Sequence, residues 1–482
     1  MSASREKRTR QGREAGELTA KQQKALTEQK ENRRTTLIFT VCAVLFAVCV
    51  VGMLLWNSQV IQRGAAAVRV NGKTYTAADV AYYYYNGRAN LLGNSSNGID
   101  ANTSLRSQTY TDGTRTWFDY LSESAVSSLA NNVLAADAAT AAGFTGGEDV
   151  SKEISDTLDS LKAAAASNGY SVAQYLKALY GPLMTRSVFE KNLRMNALAE
   201  AYAASLGKVE SYSDAQLSAV YDADPNACSQ VSYEAIVFSN SSFATEAAEA
   251  TDTTPAVEAD DGSAAALTAA QAALARYKAG ESLSALADEL NGSYAETTTL
   301  YGAGGSDMVE WLFDDARKDG DADVKDYSYY GFSMGSIVLV YHGKERVDYH
   351  TVSVRHILVD DEAKADDLLA QYNAGDKTED AFAALARENS TDNAEDGGLY
   401  EGIRRGQMVE PFEAWCFDPA RQTGDTGVVK TDYGYHVMYF VSTSPYAYWQ
   451  ELAASKLASD WETQLSEGMT TETLAGMKYI DR

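Results

Sequence analysis

From Thr36 to Trp56 the chain runs through 21 residues without one Asp, Glu, Lys, Arg or His. As a helix that run would be roughly 31 Å long, the thickness of a bilayer core. The pattern changes after it. VRVNGKTYT (68–76) alternates apolar and polar positions around Asn71-Gly72, a hairpin signature, and Thr76 is placed to cap a Tyr-rich helix. A polar stretch of Asn, Ser, Gly and Thr follows from Gly93 to Thr114. Beyond it, Ala- and Leu-rich segments at 117–142, 149–168, 171–180 and 184–206 carry helical periodicity, separated by glycines such as Gly143, Gly169 and Gly181. Ser213 and Gln216 have the spacing of a capping box that opens a further helix to Asp222, and Pro225 marks a boundary.

Two later segments repeat one pattern. VSYEAIVF (231–238) matches VSVRHILV (352–359), and YKAG (277–280) matches YNAG (372–375). MVEWLFDDARKDGDADV (308–324) matches MVEPFEAWCFDPARQTGDTGV (408–428) across a gap, and GSIVLVY (335–341) matches GYHVMYF (434–440). Each copy reads strand, helix, helix, small loop, helix, strand, an α/β module of about 90 residues. The first copy carries an insert, 239–262, rich in Ala, Thr, Glu and Asp and without Lys or Arg, which predicts a flexible acidic loop. A helix from Tyr446 to about Glu467 is expected to close the chain.

Charge orients the apolar run. Residues 1–35 hold ten Lys/Arg against five Asp/Glu, so the positive-inside rule places this tail in the cytoplasm and everything after Trp56 outside. Both regions are too long for a cleaved signal peptide, and the run predicts a retained single-pass anchor. Removing the tail's +5 from the chain's −26 leaves −31 for the exported part. That balance argues against a nucleic-acid partner and favours basic clients. Of four Cys, Cys42 and Cys49 sit in the apolar run, leaving Cys228 and Cys416, so no disulfide framework is expected; no metal-ligand spacing occurs either.

The second copy holds RHILV (355–359), Ser390-Thr391-Asp392, the pair Gly397-Gly398, GQMVEPFE (406–413) and TDYGYH (431–436). On these residues it resembles the parvulin family of peptidyl-prolyl cis-trans isomerases. With its anchor and helical half, the whole chain resembles bacterial extracytoplasmic foldases of the PrsA and SurA type. The resemblance implies rotation about X-Pro bonds of unfolded exported polypeptides, with no cofactor. The barrier to that rotation is ~18–20 kcal/mol because the amide loses resonance at the half-twist. A catalyst has to hold the ring in a dry apolar slot and prefer the twisted amide; a thousandfold acceleration requires only about 4 kcal/mol of preference.

Met408 and Phe412, four apart at the start of a predicted helix, and Leu399, just after the glycine pair, are positioned to line such a slot. The family resemblance implies that His356 and His436 meet in the sheet beneath the bound peptide bond, with Thr431 as a third polar member. It also implies Asp392 near the substrate carbonyl and Tyr433 at the border of the pocket. Cys416 is expected to be buried and inert. Many members read Gly-Gly-Asp-Leu-Gly where this chain reads Gly397, Gly398, Leu399, Tyr400, Glu401. The first copy has Ala235 and Ile337 at the two histidine positions and lacks the stretch that bears the pocket Phe, so it reads as a degenerate module. Asp360, Asp361 and Glu362 follow the first strand where phosphate-reading members carry cations, so a phosphorylated client would be repelled.

The sequence therefore predicts an α+β multidomain chain. Its parts are a basic tail (1–35), a transmembrane anchor (36–56), a mostly helical chaperone-like domain (65–228), a degenerate parvulin-like module (229–345), a parvulin module (350–445) and a C-terminal helix (446–482). The expected function is a membrane-anchored peptidyl-prolyl isomerase and foldase. Its competitor is a holdase that keeps the modules only to bind clients.

Overall fold

The computed structural model describes residues 24, 37, 39–53, 56, 58–93, 98–247, 259–302, 306–329 and 331–481. They divide into two compact units, 1–202 with 465–482, and 203–464. The basic tail (1–35), apart from Lys24, and part of the expected anchor (36–56) lie outside the described residues. Within the expected anchor, 39–53 are helical, and Phe39, Phe46 and Met53 are each 71% exposed. Among the described residues no helix is long and apolar enough to cross a membrane.

In the first unit β1 (Ala66–Val70) and β2 (Lys73–Thr76) form the expected hairpin. Asn71 (φ 43°) and Gly72 (φ 82°) fill its two left-handed turn positions. Helix α1 (Ala77–Gly93) opens on a reciprocal cap: the Asp79 amide donates to Thr76 Oγ1 (3.3 Å) and the Thr76 amide to Asp79 Oδ2 (3.0 Å). Four helices follow, α2 (Trp117–Ala141), α3 (Gly147–Ser167), α4 (Val172–Tyr180) and α5 (Arg186–Leu206). Their apolar stripes meet α1 through Val80, Tyr84, Leu129, Leu176 and Phe189. Each such side chain contributes about 1.5–3 kcal/mol by leaving water.

The expected helical domain, 65–228, is cut differently by the fold. Its residues 203–228 belong to the second unit, where α6 (Asp214–Ala223) opens on the expected Ser213–Gln216 capping box. Leu217 of α6 and Cys228 share a core with Ala453 and Ala454, so burial, which the local period does not reveal, assigns them there.

The first module comprises β3 (Ser229–Ser239), α7 (Ser263–Lys278), α8 (Leu283–Leu290), β4 (Ser293–Leu300), α9 (Ser306–Phe313), β5 (Ala322–Tyr329) and β6 (Phe332–Arg346). The second comprises β7 (His350–Val359), α10 (Glu362–Ala374), α11 (Glu379–Asn389), β8 (Leu399–Ile403), α12 (Glu410–Cys416), β9 (Thr426–Thr431) and β10 (Gly434–Ala447). Both sheets are antiparallel and four-stranded, in the orders β4-β3-β6-β5 and β8-β7-β10-β9. Each module thus has two strands more than the sequence pattern predicted. The additions are edge strands, whose half-exposed polar residues lack the apolar run that marks a central strand. Registers agree between copies: Ala235 faces Leu339 as His356 faces Met438, and Val237 faces Ile337 as Leu358 faces His436.

Alternation places the two faces of the second sheet against different helices. Ile357, Val359, Val437 and Tyr439 pack on α10 and α11, whereas Val354, Met438 and Phe440 pack on α12 through Phe412 and Cys416. Of the acidic insert (239–262), residues 248–258 lie outside the described residues; its flanks form a helical turn, Asn240–Phe243, and a bridge between Thr245 and Asp260.

The C-terminal part, 446–482, holds the helix expected from Tyr446 to about Glu467 and a short strand after it. Helix α13 (Tyr448–Glu467) ends at Glu467, and β11 (Thr471–Thr473) then pairs antiparallel with β1, giving the order β11-β1-β2. Arg69 and Glu472 form an ion pair across this junction, and Tyr84 donates to Asp481 (2.9 Å).

Candidate active site

His356 and His436 lie on adjacent antiparallel strands, β7 and β10. His436 faces Leu358, two residues from His356, so both imidazoles project from the same face as a diagonal pair. Their Nδ1 atoms are 3.0 Å apart and both residues are buried. Thr431, at the end of β9, sets its Oγ1 2.9 Å from His436 Nε2 and accepts the Tyr433 amide (3.1 Å). At the other end His356 Nε2 lies 3.5 Å from Asp392 Oδ2, an oxygen that already accepts Tyr400 Oη (3.0 Å).

These contacts assign the tautomers. The Thr431 hydroxyl, which already accepts the Tyr433 amide, is assigned as donating to His436 Nε2, so His436 Nδ1–H is the donor of the pair and His356 Nδ1 its acceptor, while His356 Nε2 faces Asp392 without a hydrogen bond among the described residues. The chain runs in one direction, Thr431 to His436 to His356, and points at Asp392. Burial drives the His356 pKa down, helped by the neighbouring His436 and opposed by Asp392, to about 4. Burial also lowers His436, again against the pull of Asp392. Both rings are therefore neutral at pH 7.

Neutral burial carries a testable linkage. A folded His356 value of about 4 against an ordinary 6.5 means that the unfolded chain takes up a proton which the folded one refuses. The contribution, about 3 kcal/mol, is fully present above pH 6.5 and disappears as pH falls through 4. Urea midpoints of the parent should drop more steeply from pH 7 to 4.5 than those of His356→Gln; parallel profiles would contradict the assignment.

Above the pair lies a cavity of about 460 Å³ lined by His356, Leu358, Thr391, Asp392, Tyr400, Gln407, Met408, Val409, Phe412, Tyr433 and His436. Phe412 meets both imidazoles edge-on, with centroids 5.6 and 5.2 Å away, and Tyr400 stacks on His356 at 5.0 Å. Tyr433 hangs over the rim, 70% exposed. The structure thus brings together seven of the eight residues proposed from the sequence. Thr431 acts from beneath rather than lining the cavity, and Leu399 is the exception. Leu399 pairs with Arg355 on β8 and does not line the cavity; strand alternation gives the position to Tyr400, opposite Val354.

The loop that carries Asp392 is tightly held. Ser390 Oγ receives the amides of Leu358 (3.1 Å) and Asp392 (3.2 Å) and donates to the Asp392 carbonyl (2.6 Å). Gly398 has φ +68°, and a Cβ there would stand 2.0 Å from the His356 carbonyl oxygen. That closeness lets the His356 amide bond Gly398 O at 2.8 Å. Arg355 locks the same turn through the Asp396 (2.9 Å) and Gly397 (3.1 Å) carbonyls and pairs with Glu379 (2.9 Å). Arg355 and Tyr400 were missed as site residues. Arg355 lies inside the RHILV motif next to His356, so strand position was the available signal. Cys416 is buried, and burial pushes its thiol up to about 12, as expected for an inert residue.

Residues 337–442 match the family model described as a PPIC-type PPIase domain. The peptidyl-prolyl cis-trans isomerase pin4 of Emericella nidulans is 35% identical over 91 residues, covering 18% of this chain and 68% of that protein. The chain belongs to the parvulin-type peptidyl-prolyl cis-trans isomerases. Foldase protein PrsA 1 of Listeria innocua is 39% identical over 122 residues, which are 25% of this chain and 40% of the relative. The chain thus spans about two fifths of the PrsA relatives it matches. The crystal structure of the peptidylprolyl isomerase PrsA from Bacillus anthracis aligns with a TM-score of 0.19 and 22% identity, over 25% of this chain and 58% of that one. The matched residues, 337–442, begin within β6 of the first module and take in most of the module that bears the histidine pair.

Proposed function

We propose that the chain is a membrane-anchored, extracytoplasmic isomerase and foldase that acts on X-Pro bonds of unfolded exported proteins. The observation that carries this reading is the apolar slot of Met408 and Phe412 over the neutral His356–His436 pair. The prolyl ring enters between Met408 and Phe412, which remove water from its amide. His356, His436 and Thr431 form a fixed floor whose polarity is set by one hydrogen-bond direction, and Asp392, tied to Tyr400, faces the carbonyl that rotates. Such a site needs no nucleophile and no cofactor: it lowers the barrier by fitting the half-rotated amide better than the planar one. The acidic turn Asp360–Glu362 supports unphosphorylated clients.

Membrane anchoring rests on the uncharged run 36–56 and its basic N-terminal flank. The foldase role is supported by the PrsA relatives. Proline-limited refolding of an unphosphorylated substrate protein tests the reading. A 350–445 fragment should accelerate refolding by a factor on the order of a thousand, whereas a 231–345 fragment, with Ala235 and Ile337 at the histidine positions, should not. Equal rates from both fragments would overturn the placement of the site in the second module.

A further inference from the structure

The first unit contains a second groove, of about 380 Å³, between α2 and the end of the chain. It is lined by Phe118, Asp119, Ser122, Glu123, Val126 and Ser127 of α2 and by Thr471, Thr473 and Met477. Phe118, Ser122 and Val126 recur every four residues, one stripe along a single face of the helix. All three are at least nine-tenths buried. Ser122 is 7% exposed, and its hydroxyl has no hydrogen-bond partner among the described residues. A buried hydroxyl left without a partner is destabilising by about 1–3 kcal/mol, so its retention in the wall of a groove points to a partner that arrives with a ligand.

The opposite wall is an open sheet edge. β11 is the outer strand of its sheet, and its register with β1 shows where its backbone points. The Leu474 amide bonds Ala67 O (2.8 Å) and the Asn71 amide bonds Thr470 O (3.0 Å). Hydrogen-bonded pairs alternate along an antiparallel ladder, so Arg69 and Glu472 form the pair between these two. The amides and carbonyls of Thr471 and Thr473 therefore face away from β1, along the outer edge. Thr471 and Thr473 pair with Val70 and Val68, both buried, so they share the core face of the sheet. A strand added beside β11 would set alternate side chains on the Phe118–Ser122–Val126 stripe.

We propose that this groove binds an extended, apolar and basic segment of an unfolded client polypeptide by strand addition to β11. Backbone pairing through Thr471 and Thr473 reads no sequence, which suits many clients. The apolar stripe takes alternate side chains, and the charge of −31 on the exported part favours Lys and Arg in the segment; on the rim itself Asp119 holds the Thr116 cap of α2 and Glu123 is paired with Arg115. A second copy of this chain is a poorer occupant, because both copies would carry the same charge of −31 on their exported parts. The client as occupant rests on the foldase reading; the groove and its open edge do not.

The test uses the full chain and a fluorescein-labelled, proline-free peptide that alternates Val with Lys and Thr, so that the proline slot is not engaged. Backbone amides of Thr471 and Thr473 should exchange at least about tenfold more slowly when peptide is present. Thr473→Pro removes an outward donor without touching the ladder to β1 and should weaken peptide binding, read by fluorescence anisotropy, by about tenfold or more. Its isomerase rate on a prolyl tetrapeptide should be unchanged. Parent protein whose amides are not slowed by the peptide overturns the proposal even if Thr473→Pro fails to fold. Undiminished binding by a folded Thr473→Pro also overturns it, and slowing that depends on protein concentration alone would assign the edge to self-association instead. Loss of isomerase activity in the parent would count against the proposed function and leave the groove standing.

Discussion

His356→Ala combined with Met408→Ala should abolish acceleration of proline-limited refolding, lowering kcat/KM by about 100-fold or more. That loss corresponds to about 2.7 kcal/mol of transition-state preference. The first substitution removes the acceptor of the His436 Nδ1–H group and leaves that donor buried without a partner. The second opens one wall of the slot to water. Because Met408 is only partly buried, its truncation should cost less than a core deletion, and Met408→Ala alone should melt near the parent. Suppression of aggregation of an unfolded client should persist in the double variant. Full acceleration by that variant would remove the histidine pair and the slot from the mechanism, and loss of both properties would show that folding itself had failed.

Gly398→Ala should lower stability by about 3 kcal/mol or more in urea denaturation and silence the site with it. Gly398 is left-handed, and an added Cβ would lie 2.0 Å from the His356 carbonyl oxygen, inside any permitted contact. Relief requires β8 to move off β7, which breaks the bond between the His356 amide and Gly398 O (2.8 Å). Gly402→Ala is the matched control: its φ is +62° but nothing stands within 4 Å of the added carbon. It should lose only about 1 kcal/mol. The difference between the two isolates the steric approach from the backbone conformation, and equal losses would show that the approach is unimportant.

The histidine pair was legible through the family motifs that hold it, RHILV and TDYGYH, while the apolar runs marked only the strands that carry them. Met408 and Phe412 were paired by assuming helical spacing, but α12 starts only at Glu410, so Met408 reaches the cavity from the segment before the helix and Phe412 from within it. Leu399 was misplaced for a physical reason: two consecutive left-handed glycines erase the parity of the strand that follows, and only pairing with Arg355 decides which side chain turns inward. The result is Tyr400 in the pocket, bonded to Asp392. The edge strands were invisible because polar, half-exposed residues satisfy them, as in SYAETTTL of β4. β11 had no local signal at all, since three residues, Thr-Glu-Thr, form a strand only because β1 is there to receive them.

That late strand gives the polypeptide an order of completion. Arg69 and Glu472 are separated by 403 positions, so at about 5–20 residues per second the β1–β2 hairpin waits roughly 20–80 s for its third strand. The isomerase module is fully synthesised before then. β1 and β2 thus stay a two-stranded hairpin while the isomerase module is made, and the strand that widens their sheet reaches them only afterwards.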